Sequence, residues 1–356
     1  MRIMGKRKFL KVILFFVLTI SMIKMNAQPN KTNTDLSAQQ QSLVKISALT
    51  ATGNLEPLKV ELNKGLDSGL AINEIKEALV QLYAYCGFPR SLNAINVFMA
   101  VAKEREEKGI NDKVGKTIVV ENNPKNKYEQ GRKVLEELTK VPQSKPAPGF
   151  GAFAPRIDAF LKEHLFADIF VSDVLSYQQR EMVTIAALAS MPGVEGQLQA
   201  HINMGKNTGI TENQLEQLAM LVETNVNKTQ GNTIRKIIGN PLVPVIEKDM
   251  MVRISEIEIL PEYLEDYKTV LQQEAAASVK IEPGVIAIFP MFQQKTPTEV
   301  RIIEIYANKA AYQSHLQTPH FQHYKTTTIK MVKALKLVDM NSLDNETMLE
   351  IFSKLK

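Results

Sequence analysis

Leu36-Ser37-Ala38-Gln39-Gln40-Gln41-Ser42-Leu43-Val44-Lys45-Ile46 and Leu175-Ser176-Tyr177-Gln178-Gln179-Arg180-Glu181-Met182-Val183-Thr184-Ile185 are two readings of one pattern, 139 residues apart. Each opens on a Ser-x-x-Gln capping box, Ser37/Gln40 and Ser176/Gln179, in which side chain and backbone satisfy each other at a helix start. Apolar residues then recur at helical spacing: Leu43, Ile46 and Leu49 in the first copy, Met182, Ile185, Ala186 and Ala189 in the second. Working outward, Leu62-Asn63-Lys64-Gly65 with Gly69-Leu70 matches Ile202-Asn203-Met204-Gly205 with Gly209-Ile210, now 140 apart. A second helix therefore ends near Gly65 or Gly205, and a third starts after Gly69 or Gly209. Thr211–Gln214 is another capping box, while Ala71–Glu74 keeps only the acid, which still suits the helix dipole. No alternating pattern interrupts residues 36–240, so this part is expected to be all helix. The stretch from Val120 to Pro155, with its prolines and glycines, reads as a linker between the copies with one helix inside it, the amphipathic run Tyr128–Leu138.

The period changes after residue 250. Val252, Ile254, Ile257 and Ile259 alternate as in a strand, and Pro261–Gln273 is helical with Pro261 at its first turn. Val285–Phe289 and Val300–Tyr306 are strands, Lys309–Leu337 is helical with a break at Pro319, and Leu335–Met340 closes with a strand. The order β-α-β-β-α-β is that of a ferredoxin-like unit. The expected architecture is thus an all-α tandem helical repeat followed by an α+β ferredoxin-like domain.

The 356 residues are 44% hydrophobic and 23% charged, enough for sizeable cores. The formal charge of +5 is concentrated in Arg2, Lys6, Arg7, Lys8, Lys11 and Lys24. Without them the chain is close to neutral and has no basic block, so no nucleic-acid partner is expected. One cysteine excludes an internal disulfide and a Cys-rich metal site. The early basic residues, the apolar run Val12–Ile23 and Ala27 before Gln28 have the order of a secretory signal. Residues 1–27 are expected to be removed on export, giving a periplasmic or secreted chain with no membrane span.

Tyr85-Cys86-Gly87-Phe88-Pro89-Arg90-Ser91-Leu92-Asn93-Ala94, Arg180–Ala189, His201 and Gly209-Ile210-Thr211-Glu212 carry a resemblance to the carboxymuconolactone decarboxylase family. It covers residues 35–240, as copies at 36–122 and 156–240 around a linker at 123–155. The resemblance implies the all-helical fold of the alkyl hydroperoxidase D-like superfamily. That superfamily includes peroxidases with a Cys-x-x-Cys pair, but here Pro89 stands where the second cysteine would be. Residues 248–342 are similar to the antibiotic biosynthesis monooxygenase family, through Glu282-Pro283-Gly284-Val285, Glu304–Tyr312 and His315–Phe321. This resemblance implies dimeric α+β barrels, some of which oxidise quinols or phenols with O₂ and no cofactor. The fusion implies consecutive steps on one class of small oxidised or aromatic metabolite, and association in pairs through the C-terminal domain.

The candidate catalytic residues are Cys86, His201, Glu74, Arg90 and His320. Cys86 lies between a helix end and Pro89, with Arg90 close by. Dipole and guanidinium should lower the thiol pKa, whereas a buried, inert packing cysteine is the competing reading. Glu74 stands twelve residues before Cys86, a spacing that resembles the hydroperoxidase acid. On an unbroken helix the two sit about 120° apart, and Glu74 then serves only the helix start. The family match makes His201 a candidate proton shuttle. The cysteine turn survives in copy one and the histidine in copy two, so the halves are expected to complement each other. His164 is expected to be a packed or surface residue. Of His315, His320 and His323, only the last two share a helical face, so no metal is expected. One or two of them, with Glu304 and Tyr306, would line the barrel cavity and bind or deprotonate a phenol. No cofactor is expected. The competing functions are a one-cysteine peroxidase acting through Cys86 and a non-enzymatic ligand-binding protein.

Overall fold

The computed structural model describes residues 35–119 and 125–344, with positions 347, 348, 351 and 354. The expected export signal lies outside the described residues. The chain divides into two compact units, which meet between Val243 and Pro244.

In the helical unit, copy one supplies α1 (Ala38–Thr52), α2 (Leu55–Asp67), α3 (Ile72–Cys86) and α4 (Phe88–Glu107). Then come α5 (Lys127–Thr139), two short turns at Phe150–Phe153 and Pro155–Ala159, and a π-helix over Phe160–Ile169. Copy two supplies α6 (Tyr177–Ala189), α7 (Glu195–Asn207), α8 (Glu212–Asn225) and α9 (Lys228–Ile238). All three predicted capping boxes are formed, at Ser37/Gln40, Ser176/Gln179 and Thr211/Gln214. The repeat extends to atomic contacts. A Cβ on Gly65 would meet Ile46 and Leu70 at 3.2 Å, and one on Gly205 would meet Ile185 and Ile210 at 3.0 Å. Both sites are tight, so a side chain there would push on the ends of these core residues.

The two copies do not have separate cores. Val183 and Ala187 of α6 pack into the copy-one cluster around Leu43, Ile46, Leu62 and Leu79. Leu36 and Val44 pack into the copy-two cluster around Ile185, Ile202 and Leu218. Each copy thus completes the apolar core of the other.

The stretch with linker composition is more than a linker. Helix α5 buries Val134, Leu135 and Leu138 against Leu165, Phe166, Ile169 and Phe170 of the π-helix region. Gly131 permits this, since a Cβ there would fall 1.7 Å from the Lys162 carbonyl oxygen. The Lys162 ammonium is fully buried and satisfied by Asp158 (2.8 Å), the Tyr128 hydroxyl (3.0 Å) and the Ser144 carbonyl (3.0 Å).

The second unit has β1 (Met251–Ile259), a 3₁₀ turn at Pro261–Tyr263, α10 (Leu264–Ile281), β2 (Val285–Phe292), β3 (Glu299–Tyr306), α11 (Lys309–His315), α12 (Pro319–Thr328) and β4 (Val332–Met340). The sheet is antiparallel in the order β2-β3-β1-β4, the ferredoxin-like arrangement expected from the sequence. One expectation fails: the helix after Lys309 ends at Thr328, not near Leu337. Met331 enters the core and the chain then pairs with β1, so tertiary pairing overrides the helical spacing. Ser255, Ile257 and Ile259 face the helices. Phe289, Ile303, Ile254 and Val338 are register neighbours across all four strands on the opposite face.

Candidate functional sites

In the helical unit, adjacent residues at the start of α6 reach to different copies. Arg180, fully buried, donates to Glu77 Oε2 (2.9 Å), Gln81 Oε1 (2.9 Å) and the Ser172 carbonyl (2.8 Å). Gln81 returns hydrogen bonds to the Arg180 carbonyl and to Thr184 Oγ1, both at 2.9 Å. Burial lowers the Arg180 pKa, against the opposing pull of Glu77. Glu181, also fully buried, holds His201 Nδ1 at 2.8 Å through Oε2. The Tyr85 ring, from copy one, meets the His201 ring edge-on with centroids 5.2 Å apart.

Tyr85 Oη, Arg180 Nε and Glu181 Oε1 are buried with no well-formed hydrogen bond to the protein. Thr184 lies beside the Tyr85 hydroxyl and favours its ionised form, but burial and the Glu181 charge win and hold it protonated. Buried polar atoms each cost about 1–3 kcal/mol when unpaired. Two of them, Tyr85 Oη and Glu181 Oε1, belong to the residues that touch His201, and a small polar ligand would satisfy them. Copy one lacks this site. At the equivalent positions Ser42 donates to Glu61 Oε1 at 2.9 Å, with no histidine.

The remaining residues singled out in this unit fall differently. Cys86 is the last residue of α3, and Gly87 at φ +84° makes the turn into α4. The thiol is half-buried and donates to the Leu82 carbonyl at 3.2 Å. Burial pushes its pKa up, and the Arg90 charge opposes this less strongly. That reverses the expectation of a lowered pKa, because Arg90 is exposed and screened by solvent while the sulfur is not. Glu74 does not join Cys86. It accepts the Ala71 N–H at 2.8 Å and faces Gln179 at 3.4 Å. Helix α3 runs unbroken between them, so they lie about 18 Å apart along its axis. His164 is half-exposed and paired with Asp168 at 2.9 Å.

In the second unit a cavity of about 670 Å³ lies between sheet and helices. Ile257, Leu271, Ile288, Ile302 and Phe321 supply apolar walls. Arg253, Glu274, Glu304, Tyr306, Tyr312 and His315 supply the polar groups. Glu304 accepts hydrogen bonds from the Ser255 hydroxyl and, at 2.8 Å, from the Tyr306 hydroxyl. The antiparallel register explains this: Ser255 opposes Ile302, which puts Glu304 on the same face one diagonal step away. Arg253 donates to the Tyr312 hydroxyl at 2.7 Å and lies over that ring at 4.6 Å. Burial and the Glu304 charge hold Tyr306 protonated, and burial raises the Glu274 carboxyl. Tyr324 is pushed up to about 12, again by burial first.

The cavity histidine is His315, not the expected His320. His315 is buried, with Nδ1 3.0 Å from Glu282 Oε1 and Nε2 3.6 Å from Glu274 Oε1. His320 Nε2 meets the same Glu282 oxygen at 2.5 Å and is not part of the lining. His323 is exposed. Helical spacing predicts a His320/His323 pair. Instead, the bend at Leu316–Thr318 folds α12 back so that His315 and His320 meet on Glu282. Glu282 was missed as a site residue. Its signals are its place at the end of α10, before the Pro283-Gly284 turn, and its membership of the Glu282-Pro283-Gly284-Val285 run that carries the resemblance.

The chain is therefore a tandem helical repeat with one composite polar site, followed by a ferredoxin-like α+β unit with one amphipathic cavity. Comparison with known proteins gives the families. The carboxymuconolactone decarboxylase family model matches residues 24–100 and 155–226, and the antibiotic biosynthesis monooxygenase model matches 250–327. A solved structure from Bacteroides thetaiotaomicron, assigned as an antibiotic biosynthesis monooxygenase, is 44% identical over 27% of this chain and 92% of that one, with a TM-score of 0.27. One so assigned from Nitrosomonas europaea is 20% identical over 28% and 94%, with a TM-score of 0.26. One from Caulobacter crescentus is 16% identical over 27% and 92%, also with a TM-score of 0.26. No curated protein matches the chain. The chain carries two carboxymuconolactone decarboxylase regions and belongs, through its C-terminal unit, to the antibiotic biosynthesis monooxygenase family.

Proposed function

We propose that this protein is an enzyme of small aromatic or oxidised metabolites, with a cofactor-independent monooxygenase-like site in the C-terminal cavity. The observation that carries this is the meeting of Glu304, Tyr306 and Arg253 on the sheet wall of an amphipathic cavity of about 670 Å³. That volume suits a one- or two-ring phenol or quinol. Glu304 already accepts from Ser255 and Tyr306, which fixes its carboxylate in one orientation. Each oxygen keeps capacity for a second hydrogen bond, so a phenolic hydroxyl can donate to Glu304. Loss of that proton leaves an electron-rich phenolate, the form that hands electrons to O₂. The Arg253 guanidinium, opposite Glu304 in the sheet, favours the negative charge so created, although its pairing with the exposed Asp339 at 2.7 Å offsets part of that pull.

The test uses the full chain, a panel of hydroquinones and naphthols, and an oxygen electrode. Glu304→Gln keeps the shape and should lose about 10²–10⁴-fold in turnover while still binding the phenol. Turnover unchanged in that variant would remove Glu304 from the reaction.

The helical unit favours a second, proton-transferring site of the decarboxylase-like kind. Glu181 fixes His201 by Nδ1, which leaves Nε2 to take or give a proton. The one-cysteine peroxidase reading draws less support, since burial keeps Cys86 as a thiol.

A further inference from the structure

Behind the cavity, two imidazoles converge on one carboxylate oxygen. Glu282 Oε1 lies 3.0 Å from His315 Nδ1 and 2.5 Å from His320 Nε2. The three residues come from the end of α10, the end of α11 and the start of α12. Their ligand atoms all lie within 4.8 Å of one another. His315 has a further partner on its other nitrogen, Glu274 Oε1 at 3.6 Å, which the Ser278 hydroxyl orients from 2.8 Å.

Two imidazole nitrogens and one carboxylate oxygen are a donor set that borderline divalent cations take, and here they converge from three different helix ends.

We propose that Glu282, His315 and His320 bind one divalent transition-metal ion, through Glu282 Oε1, His315 Nδ1 and His320 Nε2. An ion at the usual ~2.0–2.2 Å from each donor spaces its ligands about 3–3.5 Å apart; Glu282 and His315 already stand 3.0 Å apart, and His320 Nε2 has to withdraw slightly from 2.5 Å as the ion enters. Glu274 is the nearest supporting group, its Oε1 3.6 Å from the second nitrogen of His315, within a small shift of the hydrogen bond that orients a metal-bound histidine. Two nitrogens and one oxygen select zinc, cobalt, nickel or ferrous iron over magnesium and calcium, which take oxygen ligands. Glu282 and His320 remain partly exposed, so further coordination positions are open to water. This goes beyond the proposed oxygenase chemistry. Its link to that site is His315, whose ring also borders the cavity.

The experiment uses the full chain without a polyhistidine tag, freed of metal by a chelator and then titrated with Co²⁺ and with Zn²⁺. One Co²⁺ per chain should bind with a visible d–d absorption band, and Zn²⁺ should displace it. Glu282→Gln and His320→Gln keep the side-chain volume and should each weaken Co²⁺ binding by at least about tenfold. His323→Gln, on the same helix and exposed, should leave it unchanged. Far-UV circular dichroism checks that each variant folds. Absence of one-to-one binding in the wild type, or binding that survives His320→Gln, overturns the proposal and leaves the cluster as two histidines hydrogen-bonded to one carboxylate.

Discussion

Cys86 is subject to two opposing influences of unequal strength. Removal from water disfavours the thiolate, and Arg90 favours it. Burial is the larger, so the thiol should titrate above its ordinary ~8.5. The sign follows directly. With the pKa raised, the sulfur stays protonated through neutral pH, and the alkylation rate climbs only on the alkaline side. Iodoacetamide labelling of the folded chain against pH should give a midpoint above the free-thiol value, and Arg90→Ala should move it higher still. The second shift is small, because the guanidinium is exposed. A midpoint below the free value would restore the peroxidase reading. The sequence displays the helix end and the arginine, and both are where they were expected. It does not display the packing of Cys86 against the core around Leu82, which decides the sign. His201 is the converse case. Its motif is legible, but its partner Glu181 lies twenty positions away and becomes a partner only when α6 and α7 cross.

At the scale of elements, caps and glycines carried most of the legible information. Capping boxes are local, so they survive any tertiary arrangement and mark helix starts directly. What stayed hidden depends on close approach between distant segments. The packing of α5 on the π-helix is the clearest instance: the amphipathic run marks the helix itself, but its proline-rich flanks make it look like part of a linker. The signal, in retrospect, is a glycine inside an amphipathic run: Gly131 lies where α5 meets the Lys162 backbone. Gly131→Ala should destabilise the helical unit by about 1–3 kcal/mol, because neither backbone can retreat without opening the cluster around Leu138 and Phe166. Gly196→Ala is the contrast, a helical glycine with nothing within 4 Å, and should stabilise by about 0.5–1 kcal/mol. Thermal and denaturant midpoints of the helical transition check both. Equal effects at the two positions would mean that α5 is not held by this contact. The His315–His320 pairing was hidden for a related reason, since a proline break separates two helices in sequence yet folds them together in space.

For the whole molecule, two features call for a partner and a destination. Phe289, Ile303, Ile254 and Val338 form an apolar row across the sheet, on the face away from the helices. Phe289 is 60% exposed, and the neighbouring Met291 and Met340 are 36% and 45% exposed. Such an apolar row, bordered on the same face by the charged row of Arg301, Glu256 and Lys336, is a mark of association. A second copy of the same face is the simplest cover, because a two-fold contact is self-complementary. The excess positive charge, in turn, resides in the first 27 residues, before Ala27-Gln28. We therefore expect the exported chain to begin at Gln28 and to pair through the outer sheet face. Native mass spectrometry of secreted material reads both at once, as the mass of the subunit and the mass of the complex. The expected result is a dimer of chains starting at Gln28. Ile303→Lys, which places a charge at the centre of the row, should shift it to monomer while each unit stays folded. A monomeric wild type at micromolar concentration refutes the pairing, and a subunit still starting at Met1 refutes the cleavage.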